Sequence, residues 1–221
     1  MTETKVRMSV ESGMSNILLN RTLTDVLYHQ LKAFGPPHFD DHDRATAKTF
    51  TDTLSEDDFM VAAHHFGADR SVLNEPLHGG LVPFEGAAQM SGGSTDVGDV
   101  SWITPTAQFW SASFAIGTGF HTWQLVAQGK LGAAHKGMVQ AARVLALAAL
   151  QTLCEPDLLS RARQEFEERR GTASYRCPIP AEVRPPLIWS RPASGDVSRP
   201  GGLAMVAIFE CSIRPIIEID L

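Results

Sequence analysis

The sequence predicts an α/β protein, because segments with the periodicity of strands and segments with the periodicity of helices both occur along it. Residues 5–11 alternate weakly between apolar and polar side chains, as in a strand with one buried face. Residues 107–116 form a mostly apolar run without charge, which is typical of a buried strand. Residues 132–153 carry apolar side chains on every side beyond Arg143, which is the pattern of a helix enclosed by other elements. We therefore expect 132–153 to pack against 107–116.

Helix signals divide the first part of the chain. Asn20 can cap a helix whose apolar residues share one face, and Gly35 with the two prolines after it ends that helix. Two polar helices are predicted next, over 41–54 and from Ser55 to Gly67, and their composition places both on the surface. A short buried strand is expected near 87–90.

The second part of the chain begins with strong helix signals and ends without them. Pro156 fits the first turn of a helix that continues to residue 170 and ends at Gly171. Prolines recur after Cys177, and residues 190–202 have the composition of a linker. The apolar run 203–211 is a candidate edge strand.

Composition describes an ordinary globular protein. The chain has 221 residues, of which 43% are hydrophobic and 20% charged, which suffices for one good core. A net charge of -6, with no basic stretch free of acidic neighbours, makes nucleic acid a poor partner. The three cysteines are far apart, which fits a reducing compartment. The amino terminus lacks the apolar core of a signal peptide, and the longest strongly apolar run, 144–154, is short for a membrane span, so we expect a cytoplasmic protein.

Two glycine-containing loops flank the predicted strand 107–116, and they hold the candidate site residues. The glycines of loop 92–99 allow close approach of a substrate backbone to its polar side chains, Ser94, Thr95, Asp96 and Asp99. The second loop carries Thr118 and His121, and a neutral imidazole at a loop is a common zinc ligand. Serine and aspartate are also simple turn formers, and a lone loop histidine is more often only solvated. Taken by themselves, the residues leave both interpretations open.

Other histidines have simpler explanations. His38 and His42 have the spacing of a metal pair on a helix, but nearby prolines and acidic residues indicate a helix start. His135 and Lys136 precede the strongly apolar part of the predicted long helix, where capping or packing is the better interpretation.

Four motifs occur in a fixed order: GSTDVGDVSW, PTAQ, GTGFHTWQ and GKLGAAHKGM. In this order and spacing they resemble the carboxyl-terminal third of the aminobenzoyl-glutamate utilisation B type amidohydrolases, which belong to the dinuclear zinc aminoacylases, carboxypeptidases and dipeptidases. The resemblance covers roughly residues 6–187. It implies that 16–187 form the carboxyl-terminal part of a zinc-peptidase-like catalytic domain, with a mixed sheet flanked by helices. Residues 1–15 would be the last strand of an inserted α+β lid domain, and 188–221 a Pro/Gly-rich tail of unknown role.

The resemblance also implies roles for the loop residues. His121 stands where the family carries its last metal-ligating histidine, although Gly119 replaces an expected proline. The same resemblance assigns substrate contact to the polar side chains of the two loops, Ser94, Thr95, Asp96, Asp99 and Thr118. The other metal ligands and the paired catalytic glutamates of the family come from its amino-terminal half. This chain lacks them, and its one adjacent pair, Glu167 and Glu168, lies in a charged helix.

The predicted activity of the parent protein is hydrolysis of the amide bond of N-acyl or aminobenzoyl amino acids, with zinc or another divalent metal as cofactor. We expect the chain alone to be inactive, because only His121 of that machinery is present. One alternative is a non-catalytic half that completes an active site with a separate amino-terminal chain. Another is a self-associating interaction protein. The predicted partners are therefore a small acyl-amino-acid or peptide-like substrate and a second copy or a complementing half, without nucleic acid or membrane.

Overall fold

A computed structural model describes residues 8, 10, 12–66, 74–82 and 95–183. Within these ranges the chain is mostly helical and contains no β-strand, so the predicted mixed sheet is not found there. A single parallel bridge joins Leu19 and Thr106. The helices of these ranges are α1 (Arg21–Phe34), α2 (Asp41–Thr51), α3 (Glu56–Phe66), α4 (Val97–Ser101), α5 (Trp123–Gln128), α6 (Gly132–Cys154) and α7 (Pro156–Arg170).

Helix α1 forms where the sequence predicts it. The side chain of Asn20 accepts a hydrogen bond from the Leu23 amide at 3.0 Å, which satisfies one of the free donors of the first turn. The nitrogen of the same side chain donates to the carbonyl oxygen of Ala162 in α7 at 2.7 Å. At the carboxyl end, Gly35 takes a positive φ of 73° and its amide bonds Leu31, as glycine after a helix commonly does. Asn20 therefore both caps α1 and fastens it to α7.

Helices α2 and α3 are also confirmed, although α2 ends at Thr51, three residues before its predicted end. A reciprocal capping box between Asp40 and Asp43 starts α2. Ser55 and Asp58 bond each other's backbone amides in the same manner before α3. The predicted surface location holds only in part, because the Asp43 side chain is buried.

The main apolar core joins α1, α6 and α7. Buried residues of the three helices form one cluster: Val26, Leu27, Leu31, Val144, Ala148 and Leu158.

A second link between α7 and α1 is polar, since the Glu165 carboxylate accepts hydrogen bonds from the backbone amides of Arg21 and Thr22. Burial acts to raise the pKa of Glu165, but these hydrogen bonds hold it below its ordinary value. Helix α7 thus supplies a negative charge to the amino terminus of α1, where the helix dipole favours it.

The segment 107–116 is buried in its second half, but the prediction that it is a β-strand is wrong. Residues 112–116 are buried without regular secondary structure. Their predicted packing against the long helix is confirmed, because Ser111 Oγ donates to the carbonyl of Gly137 in α6 at 3.1 Å. A Cβ atom on Gly137 would lie only 2.3 Å from the carbonyl oxygen of Ala112. An apolar run predicts burial, whereas formation of a strand also requires a neighbouring backbone with which it can pair.

Helix α6 is confirmed over its predicted length, but the prediction that it is enclosed on all sides is wrong. Val144 is completely buried, whereas Leu153 is 75% exposed. By length and composition alone, α6 is long and apolar enough to cross a membrane. A single helix that meets these two criteria is weak evidence for a membrane span, because core helices meet them too. Lys136 lies within α6.

Several predicted features lie wholly or mostly outside the described residues. These are the strands at 5–11, 87–90 and 203–211 and the linker at 190–202, together with the assignments of 1–15 to a lid and of 188–221 to a tail.

Candidate functional site

His121 lies in a tight turn between the buried segment and α5. Gly117 opens the turn with a φ of 86°, and His121 itself has a φ of 60°. A left-handed backbone costs a residue with a Cβ atom roughly 1–2 kcal/mol. Thr122 follows, donates from its hydroxyl to the carbonyl of Gly119 at 2.8 Å and caps α5 by accepting from the Leu125 amide. The exposed imidazole is thus held at a fixed helix start, and strained residues of this kind cluster at functional sites.

The side chain of Gln128 holds the turn in place through hydrogen bonds. Its side chain is buried, and its oxygen accepts a hydrogen bond from the Ala115 amide at 2.8 Å. Its nitrogen donates to the Thr118 hydroxyl at 3.0 Å and to the Gln124 carbonyl at 3.1 Å. The predicted substrate contact Thr118 therefore already has an internal partner. Sequence reasoning missed Gln128, because nothing in the periodicity distinguishes it from a surface glutamine.

The turn also rests on the connection between α2 and α3. A Cβ atom on Gly117 would lie 3.0 Å from side-chain atoms of Leu54 and Phe59. Glycine is required there both by this contact and by the positive φ. Helix α3 and the connection that precedes it therefore help to position His121.

The predicted loop 92–99 is in part a helix, since α4 begins at Val97 and includes Asp99. Thr95 is half-buried and Asp96 is exposed just before this helix, while Ser94 lies outside the described residues. The predicted close approach of a backbone occurs at Gly98, where a Cβ atom would lie 2.0 Å from the carbonyl oxygen of Ser15. The approaching backbone thus belongs to this chain rather than to a substrate.

Asp99 is occupied by internal contacts. Its carboxylate accepts a hydrogen bond from the Ser15 amide at 3.2 Å. Burial and the charge of Asp99 raise the pKa of the Tyr175 hydroxyl to about 12, with a further contribution from Cys177. Of the predicted substrate contacts that are described, Asp96 is the most exposed.

The two predicted groups, 95–99 and the turn of His121, rest on different neighbours. Ser15 and Tyr175 contact the first group, whereas Gln128, Leu54 and Phe59 support the second. Each group is therefore held in place by its own set of contacts.

The described residues do not by themselves fit a metal centre. Among them, no three His, Cys, Asp or Glu side chains lie close enough together to hold an ion, and His121 is exposed. A zinc hydrolase needs three protein ligands for each ion and an open position. The adjacent pair Glu167 and Glu168 faces solvent and bonds Arg163 and Gln164 on the same helix, so it is no general base.

An ion cluster joins α2 to the start of α6. Lys136 Nζ contacts the carboxylates of Asp40, at 2.6 Å, and Asp43. The hydrogen bond from Lys136 is the main cause that lowers the pKa of Asp40 to about 2. Beside Asp43 lies a cavity of about 30 Å³, lined also by Ser113 and Gln128. Such a cavity is too small for a substrate, since ligand pockets measure roughly 300–1,000 Å³.

Comparisons with known proteins identify a curated relative. The chain is 36% identical over 194 residues to a subunit of the p-aminobenzoyl-glutamate hydrolase of Escherichia coli (strain K12). The match covers 84% of this chain but only 40% of that protein. No protein-family model and no solved structure matches the chain. Identity at this level over most of the chain confirms the resemblance carried by the four motifs, and the chain, which spans less than half the length of this relative, belongs to the aminobenzoyl-glutamate utilisation B type amidohydrolases.

Proposed function

We propose that the chain is part of a metal-dependent amidohydrolase that cleaves the amide bond of N-acyl or aminobenzoyl amino acids. The relationship to the p-aminobenzoyl-glutamate hydrolase subunit carries this proposal, because that protein is named for such a reaction. In the reaction, water adds to the amide carbonyl, the C–N bond breaks, and a proton passes to the leaving amine. The chain spans less than half of the relative, so the reaction of the whole protein is not assigned to this chain alone.

His121 is our proposed contribution to the metal site. It is exposed, it stands at a helix start that several contacts hold in place, and it lies in the motif GTGFHTWQ. A single imidazole cannot fix a hydrolytic metal ion in a defined geometry. We therefore propose that a further polypeptide supplies the remaining ligands and the general base, and that the chain alone is inactive. The relative is itself named as a subunit, which supports association with a partner chain in general.

The substrate contacts belong to the same proposal. Asp96 is our first candidate among the predicted group, because it is exposed before α4, whereas Thr118 and Asp99 also serve internal hydrogen bonds. Thr95 and Ser94 adjoin Asp96 in sequence and complete the proposed contact loop.

The experiment compares the purified chain with an assembly. The assembly is made by co-expressing the chain with a polypeptide that spans the part of the Escherichia coli relative outside the match. Release of p-aminobenzoate from p-aminobenzoyl-glutamate is measured together with zinc content by atomic absorption. We expect the chain alone to show no turnover above that of buffer with zinc. Zinc-dependent turnover by the chain alone, abolished by His121→Ala, would refute its dependence on a partner.

Two variants of the assembly separate metal binding from substrate contact. We expect His121→Ala to lower zinc content and activity together, with partial recovery of both in added zinc. Asp96→Asn should lower activity at unchanged zinc content, because it removes a substrate contact only. If the His121→Ala assembly kept its full metal complement, the ligand role of His121 would be wrong.

A further inference from the structure

One side of α6 is a continuous apolar surface that the described part of the chain leaves uncovered. Eight exposed apolar residues make up this surface, which we call the α6 apolar face: Met138, Val139, Ala142, Leu145, Ala146, Ala149, Leu150 and Leu153. The five larger side chains among them are between 43% and 75% exposed. Single exposed apolar residues are normal on a protein surface, but a contiguous stripe marks an interaction site.

Helix geometry shows that these residues form one surface. With 3.6 residues per turn, the eight side chains fall within an arc of about 140°, and they extend about 22 Å along the axis. The opposite side of α6 carries Gly137, Val144 and Ala148, which are buried against the rest of the chain. Arg143 lies at the edge of the stripe and leaves its centre apolar. A helix with apolar residues on both sides is typical of the interior of a larger assembly.

We propose that the α6 apolar face is the docking surface for a polypeptide equivalent to the part of the Escherichia coli relative that lies outside the match. The length comparison supports this occupant, because in the relative the matched segment and more than half of the protein's length belong to one polypeptide. The inference rests on the proposed function in one respect, namely that a further polypeptide supplies the missing metal ligands. A second copy of the chain would cover the face but would add only another His121.

A bilayer is a poorer occupant than a protein. Although α6 is long and apolar enough to span one, its first turns carry Lys136 in an ion cluster with the buried Asp43. Its other side is committed to α1 and α7 through the apolar core. A helix fixed in this way offers one face to a partner.

The experiment places charge on the face and measures assembly. The full chain is co-expressed with the polypeptide that spans the unmatched part of the relative, and the complex is analysed by size-exclusion chromatography with light scattering. The face variant is Leu145→Glu with Leu150→Glu. A control variant, Ser160→Glu with Thr172→Glu, adds the same charge at exposed positions away from the face. Helix content of each chain, measured by circular dichroism, shows that all variants are folded.

We expect a one-to-one complex with the wild-type chain and with the control, and at least a tenfold loss of complex with the face variant. A complex that the face variant retains, or the absence of a complex with the wild-type chain, would overturn the inference. Self-association of the chain alone that the face variant abolishes would assign the face to a second copy and would also overturn it. So would binding to vesicles of phosphatidylcholine and phosphatidylglycerol that depends on the face.

The outcome for docking is distinguishable from the outcome for catalysis. A face-dependent complex without hydrolysis would support the docking surface while contradicting the proposed reaction. Hydrolysis by an assembly that tolerates both glutamates would support the reaction while contradicting the docking surface.

Discussion

Replacing Gly137 by alanine should destabilise the chain, although alanine is the better helix former. A Cβ atom at this position would lie 2.3 Å from the carbonyl oxygen of Ala112 and 2.1 Å from Ser113 Oγ. The serine hydroxyl can rotate, but the carbonyl belongs to the backbone of the buried segment. Helix α6 and that segment would therefore have to separate by about 1 Å to reach an ordinary van der Waals contact.

The magnitude follows from two opposing effects. Overpacking against a backbone costs about 3 kcal/mol, at the upper end of the usual range, and the helix propensity of alanine returns up to about 1 kcal/mol. We expect a net loss of about 2 kcal/mol in the free energy of unfolding, measured by urea denaturation followed by circular dichroism. Gly129→Ala is the matched control, because Gly129 has a helical backbone and its nearest neighbour lies 3.5 Å from the added atom.

The control should change stability by less than about 1 kcal/mol, or increase it slightly. If Gly137→Ala were as stable as the wild-type chain, the close packing of α6 on the buried segment would be wrong. An unchanged urea dependence in both variants would show that the folded and unfolded states keep their compactness.

Val144→Asp should lower the free energy of unfolding by about 3 kcal/mol or more, because it places an unpaired carboxylate at a fully buried position. Leu153→Asp, on the exposed side of α6, should lower it little, and thermal unfolding of both variants measures the difference. Lys136→Met should reduce the loss of stability between pH 7 and pH 3. The hydrogen bond from Lys136 lowers the pKa of Asp40 from 3.8 to about 2. The stabilisation that this bond gives the folded state is therefore present above pH 4 and is lost as the pH falls toward 2. His121→Gly should be more stable than His121→Ala by about 1 kcal/mol, because φ at this position is 60°; equal denaturation midpoints would contradict a strained turn.

The helices could be predicted because their signals are local. Asn20 caps α1 through an amide three residues away, and Ser55 and Asp58 bond each other across one turn before α3. Pro156 occupies the first position of α7 and Gly171 caps its carboxyl end, so both ends of this helix also follow from nearby residues. Such contacts depend on neighbours in sequence, so the residue pattern determines them.

The segment 107–116 shows where local patterns stop being informative. Its apolar residues correctly predict the packing on α6 and the burial of residues 112–116. Whether an apolar run becomes a strand depends on a second backbone. In the described ranges, the bridge between Thr106 and Leu19 lies just before the segment, and at its end the Ile116 amide donates to the Pro76 carbonyl without forming a strand. The one-sided exposure of α6 could not be predicted for the same reason, since enclosure depends on which other elements are present.

The position of the candidate site could be predicted from the sequence, but the contacts that hold it in place could not. Gly117 and Gly119 indicate a turn, and the structure places His121 there. The contacts that hold this turn involve residues outside it, such as the Gln128 side chain at the Ala115 amide and the Phe59 side chain against Gly117. Periodicity contains no information about such partners, which is why Gln128 was missed.

The two sides of α6 together connect the docking surface to the proposed metal ligand. The inner side cannot adjust, because Gly137 allows no more than a hydrogen atom against Ala112, and that residue leads through the buried segment into the turn of His121. A polypeptide that covers the outer side would therefore be placed at a nearly fixed position relative to His121. Metal sites need their ligands within about 0.5 Å of the productive geometry. A rigid helix that is closely packed on one side and apolar on the other meets this requirement better than a loop would, and it gives a physical reason for placing the docking surface on α6.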